Sequence, residues 1–219
     1  MSTSLLHRLR DATATRHGEL ERHAVMQRIL SGRVTRHLYS LYLRNLHPIY
    51  AALERGLSCR HDEPALIAFN RPPLFRSTAI ARDLVSLVGP DWPAHALLPS
   101  AREYAANIDV LARERPALLG AHGYVRYLGD LSGGRVVRGR VAAALGLDAS
   151  TADGGGLAFY EFAASPAALA RQLRVDLEGL SLEEETADAI VAEAVSGFAR
   201  HAELFDELEE MVDQSLPVN

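Results

Sequence analysis

The sequence predicts an all-α protein, and three observations predict it. Apolar residues recur at steps of three and four along most of the chain, the spacing of one helix face. Helix starts and stops punctuate these runs, with Ser or Thr before them and Gly or Pro after them. Residues 124–135, YVRYLGDLSGGR, carry helical spacing on both flanks despite three glycines. The chain has 219 residues and is 48% hydrophobic, enough for one large domain or two small ones with a sizeable core.

Ser2, Thr3 or Ser4 can cap a first helix whose face carries Leu6, Leu9, Thr13, His17, Leu20 and Ala24. His17 therefore points with the apolar residues. A short helix over 25–30 stops near Gly32. Thr35 caps the next, with Leu38, Leu41, Tyr42, Asn45, Ile49 and Leu53 inward. Pro48 lies inside that pattern and predicts a kink. Residues 58–76, broken by three prolines, read as a connection with a helical turn. Ser77 is the expected cap of a helix ending at Gly89-Pro90, and Ser100 with Glu103 makes a capping box for a helix to about Arg115.

Pro116 suits the first turn of the glycine-bearing helix, and Gly146 its end. Within it stand Gly129, Gly133 and Gly134, each costing about 1 kcal/mol relative to Ala. Such a cost points to a bend, a close approach to a ligand, or tight packing on a neighbouring helix. Asp130 and Ser132 sit between the glycines. Asp153 and the three glycines after it read as a flexible loop. Residues 157–162 are aromatic, short and compatible with an extended stretch. Ser165-Pro166 starts a helix to about Gly179, and Ser181 with Glu184 caps a last helix to about Val212.

The formal charge of −5 argues against a nucleic-acid partner. All 23 basic residues are Arg. One cysteine, Cys59, forms no internal disulfide, so a reducing cytoplasm is expected. The first residues lack an apolar run of leader length, the last are polar, and no stretch approaches the roughly 20 apolar residues of a membrane span. The nine histidines form no HExxH and no Cys/His cluster, and there is no dinucleotide or phosphate-loop motif. What remains is a lone His on an apolar helix face and an acid on a glycine-rich helix. Alone, such a His reads more readily as a core residue bonded to a neighbour.

The string YLGDLSGG resembles the distal-helix signature of the haem oxygenase family. The resemblance runs over nearly the whole chain. RDATATRHGELE is similar to the family's proximal stretch, VTRHLYSLYLRNLHPIYAALE to the helix that follows, and GGGLAFYEF and FARHAELFDELEEM to its closing segments. It implies one haem-oxygenase-like helical domain over 1–219, with haem between a proximal helix and a glycine-kinked distal helix. His17 falls on the iron ligand, a role for which neutral imidazole suits haem. Glu21, one turn on, falls on the carboxylate that orients the other ring nitrogen. Asp130 falls on the essential acid, which holds water and delivers a proton. Gly129 and Gly133 place bare backbone over the ring and steer attack onto a meso carbon, with Gly134 beside them. Arg10, Arg171 and Arg174 suit the anionic propionates, and Tyr124 adds a hydroxyl there. Met26 and Phe198 match pocket-wall positions.

The resemblance further implies cleavage of haem b, at once substrate and cofactor, to biliverdin with release of iron and carbon monoxide. O2 is consumed, and a separate reductase or ferredoxin supplies electrons. The purpose is iron acquisition or supply of a bilin chromophore to a bacteriophytochrome. The competing readings are a haem carrier or sensor without turnover, and a helical interaction module without haem; an intact Asp130 separates turnover from carriage. Two positions depart from the family pattern: Ala14 replaces a basic residue, and His201 replaces an amide of the distal network.

Overall fold

A computed structural model describes residues 4–60, 62–148, 150 and 154–214. Among them every regular element is helical, as the periodicity predicts. Helix α1 (Leu5–Arg22) starts at Ser4, whose hydroxyl accepts from His7 N at 3.4 Å; Ser2 and Thr3 lie outside the described residues. The chain turns sharply at His23, which ends α1 and caps α2 (Ala24–Leu30) through Nδ1, 3.3 Å from Val25 N. Gly32, at φ +72, closes α2 in the left-handed region, where a side chain would be strained.

Helix α3 (Arg36–Cys59) is capped by Thr35 as expected and continues through Pro48 as one helix. It is the central element. Tyr39, Leu43, Leu46, Ile49, Tyr50, Leu53 and Leu57 on it are buried, and it packs between α4 (Ser77–Val88) and α5 (Pro99–Glu114). Residues 58–76 hold two 3-10 turns, Pro64–Leu66 and Pro72–Leu74.

The starts of α4, α5 and the last helix differ from the sequence reading. Ser77 is already inside α4; its N–H and hydroxyl, with Arg76 N–H, donate to the Glu54 carboxylate of α3. Helix α5 begins at Pro99, and Ser100 donates through N and Oγ to Glu207, at 3.1 and 2.6 Å. In both cases a distant carboxylate satisfies donors that a local cap would otherwise take. The last helix starts at Glu184, so Ser181 lies too far ahead of it to cap.

Residues 157–160 are not extended. Ala158–Tyr160 form a buried 3-10 turn held by Asp83 of α4, whose oxygens accept from Ala158 N and Phe159 N, each at 2.7 Å. Of the glycine loop before it, Asp153 lies outside the described residues. Gly154–Gly156 form a tight turn on α4, where a Cβ on Gly156 would meet Leu87 at 2.9 Å. Because the Asp83 side chain is wholly buried, Asp83→Ala would strand two buried N–H donors. We expect it to destabilise the fold by roughly 2–4 kcal/mol in urea denaturation.

The glycine-bearing stretch is helical throughout. A 3-10 turn, Pro116–Leu118, leads into α6 (Leu119–Gly123), a π-helical turn (Tyr124–Leu128) and α7 (Gly129–Leu145). The irregularity expected at the glycines lies one turn earlier, in the π-turn. Gly129 itself has ordinary helical angles, φ −61 and ψ −51. Tyr124, Val125, Arg126 and Tyr127 of the π-turn are all buried and continue the unbroken buried run of α6. Helices α8 (Pro166–Glu178), capped by Ser165, and α9 (Glu184–Gln214) complete the chain. α9 packs along α1, α5 and α6.

Candidate functional site

Two adjoining cavities, about 330 and 590 Å³, open between α1, the π-turn with α7, and α9. Both are lined by His17, Glu21, Val125, Gly129, Gly133 and Phe198, so they form one site with two compartments. The inner compartment adds Met26 and Ile29 of α2, Tyr42 of α3, and His201 and Phe205 of α9. Its walls are mainly apolar. The outer one adds Leu6, Arg10, Tyr124, Leu128, Ser132 and Arg174. It is the polar, cationic end.

His17 is not enclosed by α1's apolar face. It stands at that face's edge, with its side chain 55% exposed, on the rim shared by both compartments. Its Nδ1 is 3.7 Å from Glu21 Oε1, within ion-pair reach, and its ring meets Phe198 edge-on at 6.0 Å. Glu21 beside Nδ1 leaves Nε2 as the nitrogen able to ligate a metal.

Gly129 and Gly133 face open space: a Cβ on either would meet nothing within 4 Å. Gly134 differs, because a Cβ there would stand 3.2 Å from Tyr160 Cδ1; its missing side chain admits Tyr160. Hence Gly133→Ala should stabilise the empty protein by up to about 1 kcal/mol through helix propensity, yet weaken binding of a flat ligand laid against α7. Thermal unfolding and ligand titration of the same variant test this; a variant that lost stability and kept full affinity would contradict it.

Asp130 lies behind these glycines. Tyr50 Oη donates to its Oδ2 at 2.6 Å. It lines the inner compartment, and burial pushes its carboxyl up to about 6, against the opposing pull of the Tyr50 hydrogen bond and the Arg126 and Arg76 cations. Arg126, buried in the π-turn, donates from Nη1 to His201 Nδ1 at 2.9 Å. Tyr124 is tied to α1 by the Thr13 hydroxyl at 3.3 Å, which fixes the π-turn against the His17 helix.

The raised carboxyl has a stability consequence. A folded value of about 6 against 3.8 means the folded protein holds that proton more tightly. The associated stability is complete below about pH 4 and is lost as pH rises through 6. Asp130→Asn never ionises and avoids that loss. We expect it to be more stable than the parent by roughly 1–3 kcal/mol at pH 7.5, with the difference vanishing toward pH 4. Urea denaturation at both pH values checks this, and a pH-independent difference would contradict it.

Arg10 and Arg174 line the outer compartment, where Arg174 Nη2 also donates to Ser132 Oγ at 3.3 Å. Arg171, one turn before Arg174 on the same exposed side of α8, lines neither compartment. The sequence reading placed Tyr42 on the inner face of its helix without a part in the site, and gave Tyr50 and Arg126 no role. Arg126 left one signal, a lone formal charge in the otherwise uncharged run 116–129. Tyr50, 80 residues from Asp130, left none.

The residues fit a haem: apolar walls and side-chain-free backbone for the ring, a rim imidazole for the iron, and guanidinium and hydroxyl donors for two carboxylates. The family profile described as heme oxygenase matches residues 3–207. The chain belongs to the haem oxygenase family, whose members are enzymes that degrade haem. Among its relatives, it is 33% identical over 212 residues to "Heme oxygenase 1" of Nostoc sp., covering 95% of this chain and 87% of that one. It is 34% identical over 220 residues to "Heme oxygenase 2" of Synechocystis sp., covering 98% and 86%. A crystal structure of that Synechocystis heme oxygenase-2, in complex with heme and NO, superposes with a TM-score of 0.90 at 33% identity, covering 98% of this chain and 88% of that one. Among the described residues no helix is long and apolar enough to cross a membrane.

Proposed function

We propose that this chain cleaves haem to biliverdin, releasing iron and carbon monoxide, with the ring held between α1 and the π-turn with α7. The observation that carries the reading is the pairing of His17 with the open Gly129 and Gly133 backbone around the same two compartments, with Asp130 alongside. The heme in the solved Synechocystis relative supports it. Bound there, haem supplies the iron that activates O2 and the meso carbon that is oxidised. Everything else is done by the chain. His17 Nε2 ligates the iron and Glu21 orients the ring. Arg10, Arg174 and Tyr124 take the propionates in the outer compartment. Met26 and Phe198 exclude water from the ring faces. The bare backbone of Gly129 and Gly133 would let the haem lie close against α7 and would narrow the space left beside it.

Asp130, poised near pH 6 and hydrogen-bonded by Tyr50, holds a water and passes one proton at a time. Electrons come from a separate reductase or ferredoxin, and the protein works as a single domain in the cytoplasm. The product serves iron recovery or supplies a bilin to a bacteriophytochrome. Titration of the purified protein with haem tests the binding half of this reading. One equivalent should saturate a Soret band that His17→Ala alters, whereas unsaturable, non-stoichiometric uptake would sink it.

A further inference from the structure

The mechanism above gives Asp130 the proton and leaves a second polar group of the same compartment without a task. His201 projects from α9 into the inner cavity and is 4% exposed. Its ring is clamped. Phe205 lies 4.5 Å away, Tyr42 6.2 Å, and Arg126 Nη1 stands 2.9 Å from Nδ1. A guanidinium donates through all of its N–H groups and accepts nothing. Nδ1 is therefore the acceptor, and the proton of the neutral ring sits on Nε2. Arg126 is itself buried in the π-turn, so this lock is part of the core and not a surface contact. Among the described residues, Arg126 is the one hydrogen-bond partner of the imidazole. The Nε2–H is a donor that none of the described residues uses.

We propose that His201 is a positioning residue whose Nε2–H, oriented by Arg126, donates to a small lone-pair ligand on the cavity side of α9. This rests on the haem reading above, in which that ligand is an anion or oxygen species on the distal side of the ring. His201 holds the ligand and does not protonate it. Burial, the Arg126 cation and, from the α1–α2 corner, His23 all keep its imidazole well below its ordinary pKa, so it stays neutral. The two polar groups of the compartment thus divide the work: Asp130 exchanges a proton near neutral pH, and His201 fixes direction.

Three replacements separate the two ends of the ring. His201→Leu removes both. His201→Asn keeps a short acceptor for Arg126 but cannot reach the Nε2 position. His201→Gln places an amide N–H near the Nε2 position. In the haem-free chain at pH 7, two-bond nitrogen–proton correlation spectra should show one Nε2–H imidazole that disappears in His201→Leu. A lost signal belonging to an Nδ1–H or doubly protonated ring would overturn the proposal. In the ferric haem-loaded protein, azide is the probe. We expect His201→Leu and His201→Asn to bind it on the order of 10-fold more weakly than the parent, and His201→Gln to stay within about threefold. Equal azide affinity in all variants, or Asn outperforming Gln, would overturn it. If His201→Leu fails to fold, the order of Gln and Asn still decides. If the protein takes up no haem, the haem reading fails, while the spectra of the haem-free chain still decide the tautomer.

Discussion

Asp130→Ala is expected to lower the rate of biliverdin formation by roughly 10²–10⁴-fold, the usual range for loss of a placed proton relay, while haem affinity changes little. The two effects separate because Asp130 lies behind the glycine backbone, and iron, ring and propionates are assigned to other residues. Its carboxyl is held near 6 by burial, so near neutral pH it exists in both forms and is able to take up and release a proton. The alanine variant leaves Tyr50 Oη without its acceptor and the cavity without an ordered donor. Productive attack on the ring competes with other fates of the oxidant, and each 1.36 kcal/mol between barriers shifts the outcome about tenfold. Tyr50→Phe should lower the rate more mildly, because the carboxylate survives. A variant lacking Asp130 that formed biliverdin at the parent rate would remove it from the mechanism and leave backbone crowding at Gly129 and Gly133 as the sufficient cause.

His17→Ala is expected to abolish the iron–imidazole bond and to reduce ring cleavage by more than about 100-fold, beyond the 10–100-fold typical of losing only a partner of the ligand. Glu21→Gln, which removes only the partner, should fall in that lower range. The haem-free His17→Ala protein should unfold within about 0.5 kcal/mol of the parent, since the side chain is half exposed and buries little. The same rim position lets free imidazole enter. Added imidazole should restore part of the activity and of the resonance Raman iron–imidazole band. Retention of that band without imidazole would assign the ligand to another histidine.

Local chemistry carried much of the fold into the sequence. Ser4, Thr35 and Ser165 cap where their side chains reach a backbone N–H three residues on, and Gly32 and Gly146 stop helices at positive φ. Features set by distant partners were hidden. Glu54 caps α4 from 23 residues away and Glu207 caps α5 from 107, so Ser77 and Ser100 looked like caps without being so. Asp83 bends 157–160 into a turn by taking two N–H groups that a strand would need, across 75 and 76 residues.

The site divides the same way. His17, Gly129, Asp130 and Gly133 stood out because each breaks a local pattern: a His on an apolar face, glycines and an acid inside a helix. Tyr50 and Tyr42 follow the pattern of α3 and so gave no sign. The glycines were legible as positions but not as geometry. They left a bend, a close approach and tight packing open; α7 runs through them, and a side chain at Gly129 or Gly133 would meet open space. Arg171 and Arg174 share a side of α8 and looked equivalent in the sequence, but only Arg174, one turn further on, lines the outer compartment.

The most direct test is a single turnover of the purified, haem-loaded protein in air, followed by its absorbance spectrum after a reductant is added. The Soret band should decay and a broad band near the red end should rise, with one biliverdin recovered per haem and iron released to a chelator. A Soret band that shifts on reduction but persists, with no bilin recovered, would contradict catalysis and leave a protein that holds haem without cleaving it.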